Sequence, residues 1–314
     1  MSAEIRKNRL KKLYGDRKLV DHYQAGIILV EVRRANGVGD PENAGRPRNR
    51  DGHLEITGQS VSYKIRREQT FRNEEKEEFP EGDDVFFKGE TYAEDGYNNL
   101  LERALGNIKI TDDMTTKEFQ AAMCKKFIDV RTFGVAGAFI GDKKYGKIDT
   151  SACKLTRAIS IHEGYSVDEV QEYDIALSKS MNDNTTGKPE STRLGAKLYR
   201  VRYALVPIFF SLSVHEGEEH GLTQEDMEKF YQNVLHMYFD DQSNARPSGS
   251  MRVRKLIRFD ADSKRYNSSL VRESFHIKRK EGISEEDVHD FTDYEYTIDA
   301  LPGITVTEYD EARI

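Results

Sequence analysis

The sequence predicts an α+β fold whose core runs strand, helix, strand, strand, helix, strand, with long insertions after the first and third strands. Three observations lead there. A β-branched apolar run, AGIILVEVRR at 25–34, precedes a helix-periodic segment at 58–72. Two further apolar runs, RVRYALVPIFFSLSV at 200–214 and MRVRKLIRF at 251–259, bracket the clearest helix signal in the chain. Polar stretches, rich in charge and turn residues, separate these blocks.

Taken in order, 25–34 reads as a strand and 36–56, NGVGDPENAGRPRNRDGHLEI, as a Gly- and Pro-containing loop. In 58–72, Val61 and Ile65 form one helical stripe while Ser60, Lys64 and Arg67 form another, so packing the apolar stripe inward turns the cations outward. Residues 73–98 are acidic with few apolar side chains, which predicts an exposed insertion. A Thr115/Glu118 capping box opens a helix through Phe119, Met123 and Phe127. Strand-like segments follow at 128–140 and about 148–160, and 162–198, including MNDNTTGKPEST, reads as a polar excursion. Thr223 caps a helix over 221–241 whose Met227, Phe230, Tyr231, Val234, Leu235 and Tyr238 share a face. The acidic tail carries a last strand candidate, GITVTEY. The reduced order, βαββαβ, is the ferredoxin-like arrangement of RNA-recognition modules (RRM-like), an order that many metabolic enzymes share.

Charged residues make up 33% of the chain against 37% hydrophobic, and no run of 18 apolar residues occurs, which excludes a membrane helix. The first residues are basic and lack the apolar centre of a secretory signal. Two cysteines, Cys124 and Cys153, without a Cys-x-x-Cys pair, fit free thiols in a cytoplasmic protein. The net charge of −7 conceals strong alternation: +7 for 1–67, −9 for 68–119, +4 for 120–164, −7 for 165–242, +8 for 243–280 and −10 for 281–314. Screening over about 8–10 Å lets each basic block act locally, so an acidic total does not exclude a polyanionic partner.

The basic blocks hold the candidate contacts. Lys64, Arg66 and Arg67 follow the first loop, with Gln59 and Ser60 near the helix start as further N–H donors to a phosphate. Arg46 and Arg48 flank Pro47, and the arginine fork suits bidentate phosphate contact. Arg131 and Phe133, two apart on an expected strand, would offer a cation and a stacking ring on one side. Arg246 sits in a turn, Arg252 and Arg254 face one side of the next strand, and Arg193 and Lys197 lie in the central excursion. No catalytic triad or phosphate loop stands out, and His215 and His220 are badly spaced for one metal, so no cofactor is expected.

Four segments resemble one family. NGVGDPENAGRPRNRDGHLEITGQSVSYKIRR is similar to the opening of the Cas-seven family of CRISPR Cascade backbone proteins, where a G-D-P turn leads through Pro-Arg and D-G-H to a basic K-I-R helix. CKKFIDVRTFGVAGAF resembles its D-V-R-x-F-G strand, STRLGAK its G-x-K-H region with Leu198 in place of the histidine, and NARPSGSMRVRKLIRF its S-A-R-P-x-G-S-M turn and last core strand. The type I-C members are most similar.

The resemblance implies a non-catalytic RNA-binding scaffold. Its expected parts are a basic extension (1–22), an RRM-like palm (23–35, 99–161 and 199–314), a finger-like insertion (36–98) and a thumb-like hairpin (162–198). Copies would stack head to tail along a guide RNA (crRNA) and present its bases to a target DNA strand. The implied partners are other copies of the chain and the repeat-processing, large and small subunits of Cascade. An alternative centres on Asp40, because related type III subunits cleave target RNA with a loop carboxylate.

Overall fold

The computed structural model describes residues 3–76, 81–89, 95–136, 148, 154–176 and 197–311. The chain opens with helix α1 (Ala3–Tyr14) and enters the long strand β1 (Gln24–Ala35), whose AGIILV run is wholly buried. Short pairings follow: β2 (Gly39–Asp40) with β3 (Arg46–Pro47), and β4 (Asn49–Arg50) with β5 (His53–Ile56). Helix α2 (Gly58–Glu74) starts at Thr57, whose hydroxyl accepts the Ser60 N–H. Three helices come next: α3 (Leu100–Asn107), α4 (Thr116–Lys126), with the expected Thr115/Glu118 capping box, and α5 (Ile128–Phe133).

The second half supplies β6 (Ile159–Ile161), β7 (Gly164–Glu169), β8 (Glu172–Ala176) and the 16-residue β9 (Lys197–Leu212). Helix α6 (Val214–His220) turns the chain into α7 (Gln224–His236), which a Thr223/Asp226 capping box opens. Strand β10 (Met251–Ala261), helix α8 (Ser268–Glu273), the hairpin β11 (Phe275–Arg279) and β12 (Tyr294–Ile298), and β13 (Ile304–Asp310) complete it.

The fold is α+β. Its main sheet has the order β13-β10-β1-β9-β6, with β8 also paired to β9, and every pairing is antiparallel. The sheet and the helices α2 and α7 enclose the larger core, while a second cluster gathers α1, α3, α4 and Phe86.

Three expectations need correction. Residues 128–133 are helix, not strand: the capped helix α4 ends at Phe127, and the Phe127 C=O accepts the Arg131 N–H at 3.3 Å, starting a new turn. The segment 73–98 is not an exposed insertion throughout, because Asp83, Val85 and Phe86 are buried and the Asp129 carboxylate accepts the Phe86 and Phe87 N–H groups at 2.7 and 3.1 Å. Of the region 148–160, strand geometry is present from Ile159. The run MNDNTTGKPEST, Arg193 and Cys153 lie outside the described residues.

Candidate nucleic-acid interface

Helix α2 sits with Val61 and Ile65 in the core beneath it, and its other faces decide the site. Lys64 does not point to solvent. It is 5% exposed, and its ammonium is paired with Asp241, the carboxylate just beyond α7. Arg67 reaches the same oxygen at 3.1 Å and Arg246 approaches the other at 3.3 Å. The outward-facing pair expected from the helical stripe is therefore an inward one, because α2 is covered by the sheet on one side and by the end of α7 on another. Burial lowers Lys64 to about 8 although Asp241 pulls the other way. Burial also works against the Asp241 carboxylate, but Lys64, Arg246 and Arg67 hold it below its usual range. Three cations share one carboxylate, which leaves an excess of positive charge.

The side of α2 that does reach solvent forms one wall of a cleft of about 520 Å³. Gln59, Ser62, Tyr63 and Arg66 come from the helix, Phe87 from the loop before α3, and Phe133 to Ala136 from the end of α5. Lys154 to Arg157 form the opposite lip, tied by reciprocal Val135–Leu155 backbone bonds at 2.9–3.0 Å. Gly134 makes the approach possible: its φ is +72°, and a Cβ there would lie 2.3 Å from the Leu155 carbonyl oxygen. Tyr63 is 42% exposed, and Lys154 and Arg157 are exposed without an ion pair among the described residues. Arg66 is held by Asp129 at 3.0 Å and lies over Phe87 and Phe133 at 5.2 and 4.8 Å. Among the described residues, no carboxylate lines the cleft. An exposed ring beside unpaired cations is suited to a stacked base and its phosphate.

The remaining candidates separate into three neighbourhoods. Arg131 is interior, 3% exposed, with its fork on Asp226 at 2.6 and 3.0 Å and on the Gly82 carbonyl at 2.5 Å. Phe133 is buried against Phe230, so these two residues do not share an open strand face. Arg46 lies over Tyr199 at 4.3 Å and pairs with Glu172 at 2.9 Å, near Lys197, which pairs with Asp174 at 2.8 Å. Arg48 is 3.7 Å from Asp40, whose carboxylate accepts the Glu42 N–H and shapes the turn. Arg252 and Arg254 do face one side, where both meet Glu31 and Glu311. The Ser60 backbone N–H donates to the Thr57 hydroxyl, so that group is not available to an anion.

The family model for CRISPR-associated protein Cas7 matches residues 22–299. This chain belongs to that family. Two solved chains are similar in structure to this Cas7-family chain. One, described as "CRISPR RNA-guided surveillance complex", has a TM-score of 0.41 and 10% identity over 78% of this chain and 71% of its own. The other, described as "CRISPR RNA-guided surveillance complex, pre-nicking", has a TM-score of 0.42 and 9% identity over 78% and 80%. No curated protein matches.

Tyr63, Phe87, Lys154 and Arg157 were missed in the sequence. Tyr63 carried the usable signal: three residues after Ser60 and four before Arg67, it falls on the polar side of the helix, away from Val61 and Ile65. Among the described residues, no group of three His, Cys, Asp or Glu converges as a metal site would need, and no helix is long and apolar enough to cross a membrane.

Proposed function

We propose that this chain is a non-catalytic scaffold of a type I CRISPR surveillance complex, holding a single-stranded guide RNA along the α2 cleft and presenting its bases to a target DNA strand. The observation that carries this reading is the cleft itself: exposed Tyr63 on the α2 wall and Lys154 and Arg157 on the opposite lip, with no carboxylate lining it among the described residues. The contacts proposed to touch RNA directly are Gln59, Tyr63, Arg66, Lys154 and Arg157, joined by Arg46, Arg48 and Lys197 near β8 and by Arg193. Lys64, Arg67 and Arg246 act as a cationic bank behind the helix, Arg131 and Phe133 support the surface from within, and Ser60, Arg252 and Arg254 are half-buried residues whose part is structural.

The strand order β10-β1-β9-β6 with α2 and α7 supports a ferredoxin-like, RRM-like palm, since the fourth, first, third and second core strands then lie side by side. The finger-like (36–98) and thumb-like (162–198) divisions, the type I-C subtype, assembly with copies of itself and with the other Cascade subunits, and a cytoplasmic location belong to the same reading. Phosphate and sugar contacts suffice for such a scaffold, because base pairing reads the sequence.

The test is extraction of nucleic acid from the assembled complex. A discrete small RNA that is lost from a Tyr63→Ala, Lys154→Ala, Arg157→Ala variant of unchanged melting temperature is the expected result. Protein that carries no RNA, or a variant that retains it fully, would count against the reading.

A further inference from the structure

The two ends of β1 carry opposite, unsatisfied charge. At its start, α1 is docked by Leu10 and Tyr14 and by Arg6 and Arg9 on Glu218 and Glu219 of α6, at 2.5–2.9 Å. That clasp uses one side of α1. Lys7, Lys12, Arg17 and Lys18 are exposed, and among the described residues none of them makes an ion pair. The acids close by are Glu4, Asp16, Asp21 and Glu118, of which Asp16 takes Lys11 at 3.2 Å, Asp21 takes His22 at 2.8 Å, and Glu118 lies within electrostatic reach of Lys12 without pairing with it. The family match begins at residue 22, so this basic helix lies outside it.

At the far end of β1, Arg33 binds Asp290 and the His289 carbonyl, and Arg202 of β9 donates to the Glu286 carbonyl at 2.5 Å. These bonds fix the loop between β11 and β12. Its Glu281, Glu285, Glu286 and Asp287 side chains are all exposed, without an ion pair among the described residues, and Lys280 is the cation beside them. Twelve residues of strand at about 3.3 Å each place the two patches roughly 35 Å apart.

We propose that the α1 outer face of one copy docks on the 281–287 loop of the next copy, so that the charged poles drive head-to-tail stacking. This rests on the reading that copies line up along one RNA, and names the surfaces that meet. Two different patches at opposite ends make a heterologous contact, which repeats instead of closing a dimer. A nucleic acid could meet the basic pole but would be repelled by the acidic one. The α1 C-terminus also places its negative dipole end beside Lys11 and Lys12, which disfavours a phosphate there. A second copy satisfies both poles at once, and such patches act mainly on encounter and register.

The experiment is sedimentation of the full chain on a single-stranded RNA long enough for several copies, with RNA affinity followed separately by fluorescence anisotropy. One variant combines Lys7→Glu, Lys12→Glu and Arg17→Glu; the other combines Glu281→Lys, Glu285→Lys and Glu286→Lys. Each variant alone is expected to bind RNA as wild type does but to stack about tenfold more weakly. Their equimolar mixture is expected to stack again, because each reversed pole then finds its complement. Stacking by both variants alone, or a mixture that stays dispersed, overturns the proposal. Loss of RNA affinity in the lysine-reversed variant without rescue also overturns it and gives the helix to nucleic acid. If wild type binds no RNA, the guide reading fails, and concentration-dependent association of the RNA-free chain reads the poles by the same mixture rule.

Discussion

Arg131 shows what a buried arginine is worth to this fold. Its guanidinium holds Asp226, the capping residue of α7, lies 3.6 Å from Asp83, and takes the Gly82 and Cys124 carbonyls. Arg131→Met should cost about 3–5 kcal/mol, because it strands a carboxylate in the interior; thermal unfolding checks it. The pH dependence follows from the same pair. Burial opposes ionisation of Asp226, but Arg131 and the Thr223 bonds hold it below its ordinary value of 3.8. A carboxylate depressed in the fold stabilises above its unfolded value and loses that contribution as pH falls through the folded one. Stability should therefore drop as pH is lowered below about 4, and less so in an Asp226→Asn variant. Lys64 belongs to this scale too. An outward lysine could be truncated without effect, whereas the inward one makes Lys64→Ala with Arg67→Ala destabilising by about 2–4 kcal/mol, since Asp241 keeps only Arg246.

Among the elements, α2 and the α5 corner set the cleft, and glycines let both approach. A Cβ at Gly58 would lie 2.3 Å from the Ile161 carbonyl oxygen, so α2 lies against β6 only with glycine there. Gly58→Ala should push the helix start outward and lower stability by about 1–3 kcal/mol, the usual cost of overpacking, measurable by denaturant titration. The long elements were legible in sequence because their patterns are local: the apolar runs of β1, β9 and β10, and the capping boxes of α4 and α7. Residues 128–133 were not, since IDVRTF has a strand-like composition and becomes helix through the turn that α4 begins and the Asp129 bonds to the 86–87 backbone. The orientation of α2 was half legible. Val61 and Ile65 marked its core side, but a helix covered on two sides buries polar positions as well, and the covering carboxylate, Asp241, is 177 residues from Lys64. The cleft's second lip, Lys154 to Arg157, has no pattern of its own and is held in place by the Gly134 approach, the Val135–Leu155 bonds and the Gln120 amide on the Lys154 carbonyl.

For the whole molecule, charge is the organising feature. An overall −7 coexists with a cleft that no carboxylate lines among the described residues and with basic and acidic poles, so bulk charge says little about what the chain binds. The most direct measurement of the central claim is equilibrium binding of single-stranded RNA across a salt series. Wild type should show log affinity falling linearly with log salt. Lys154→Ala with Arg157→Ala should reduce that slope by about 1.4, at roughly 0.7 per phosphate contact. Tyr63→Ala should leave the slope alone and weaken binding by about 1–3 kcal/mol, the worth of one stacked base. A slope near zero in wild type, or unchanged binding in both variants at unchanged melting temperature, would contradict the account.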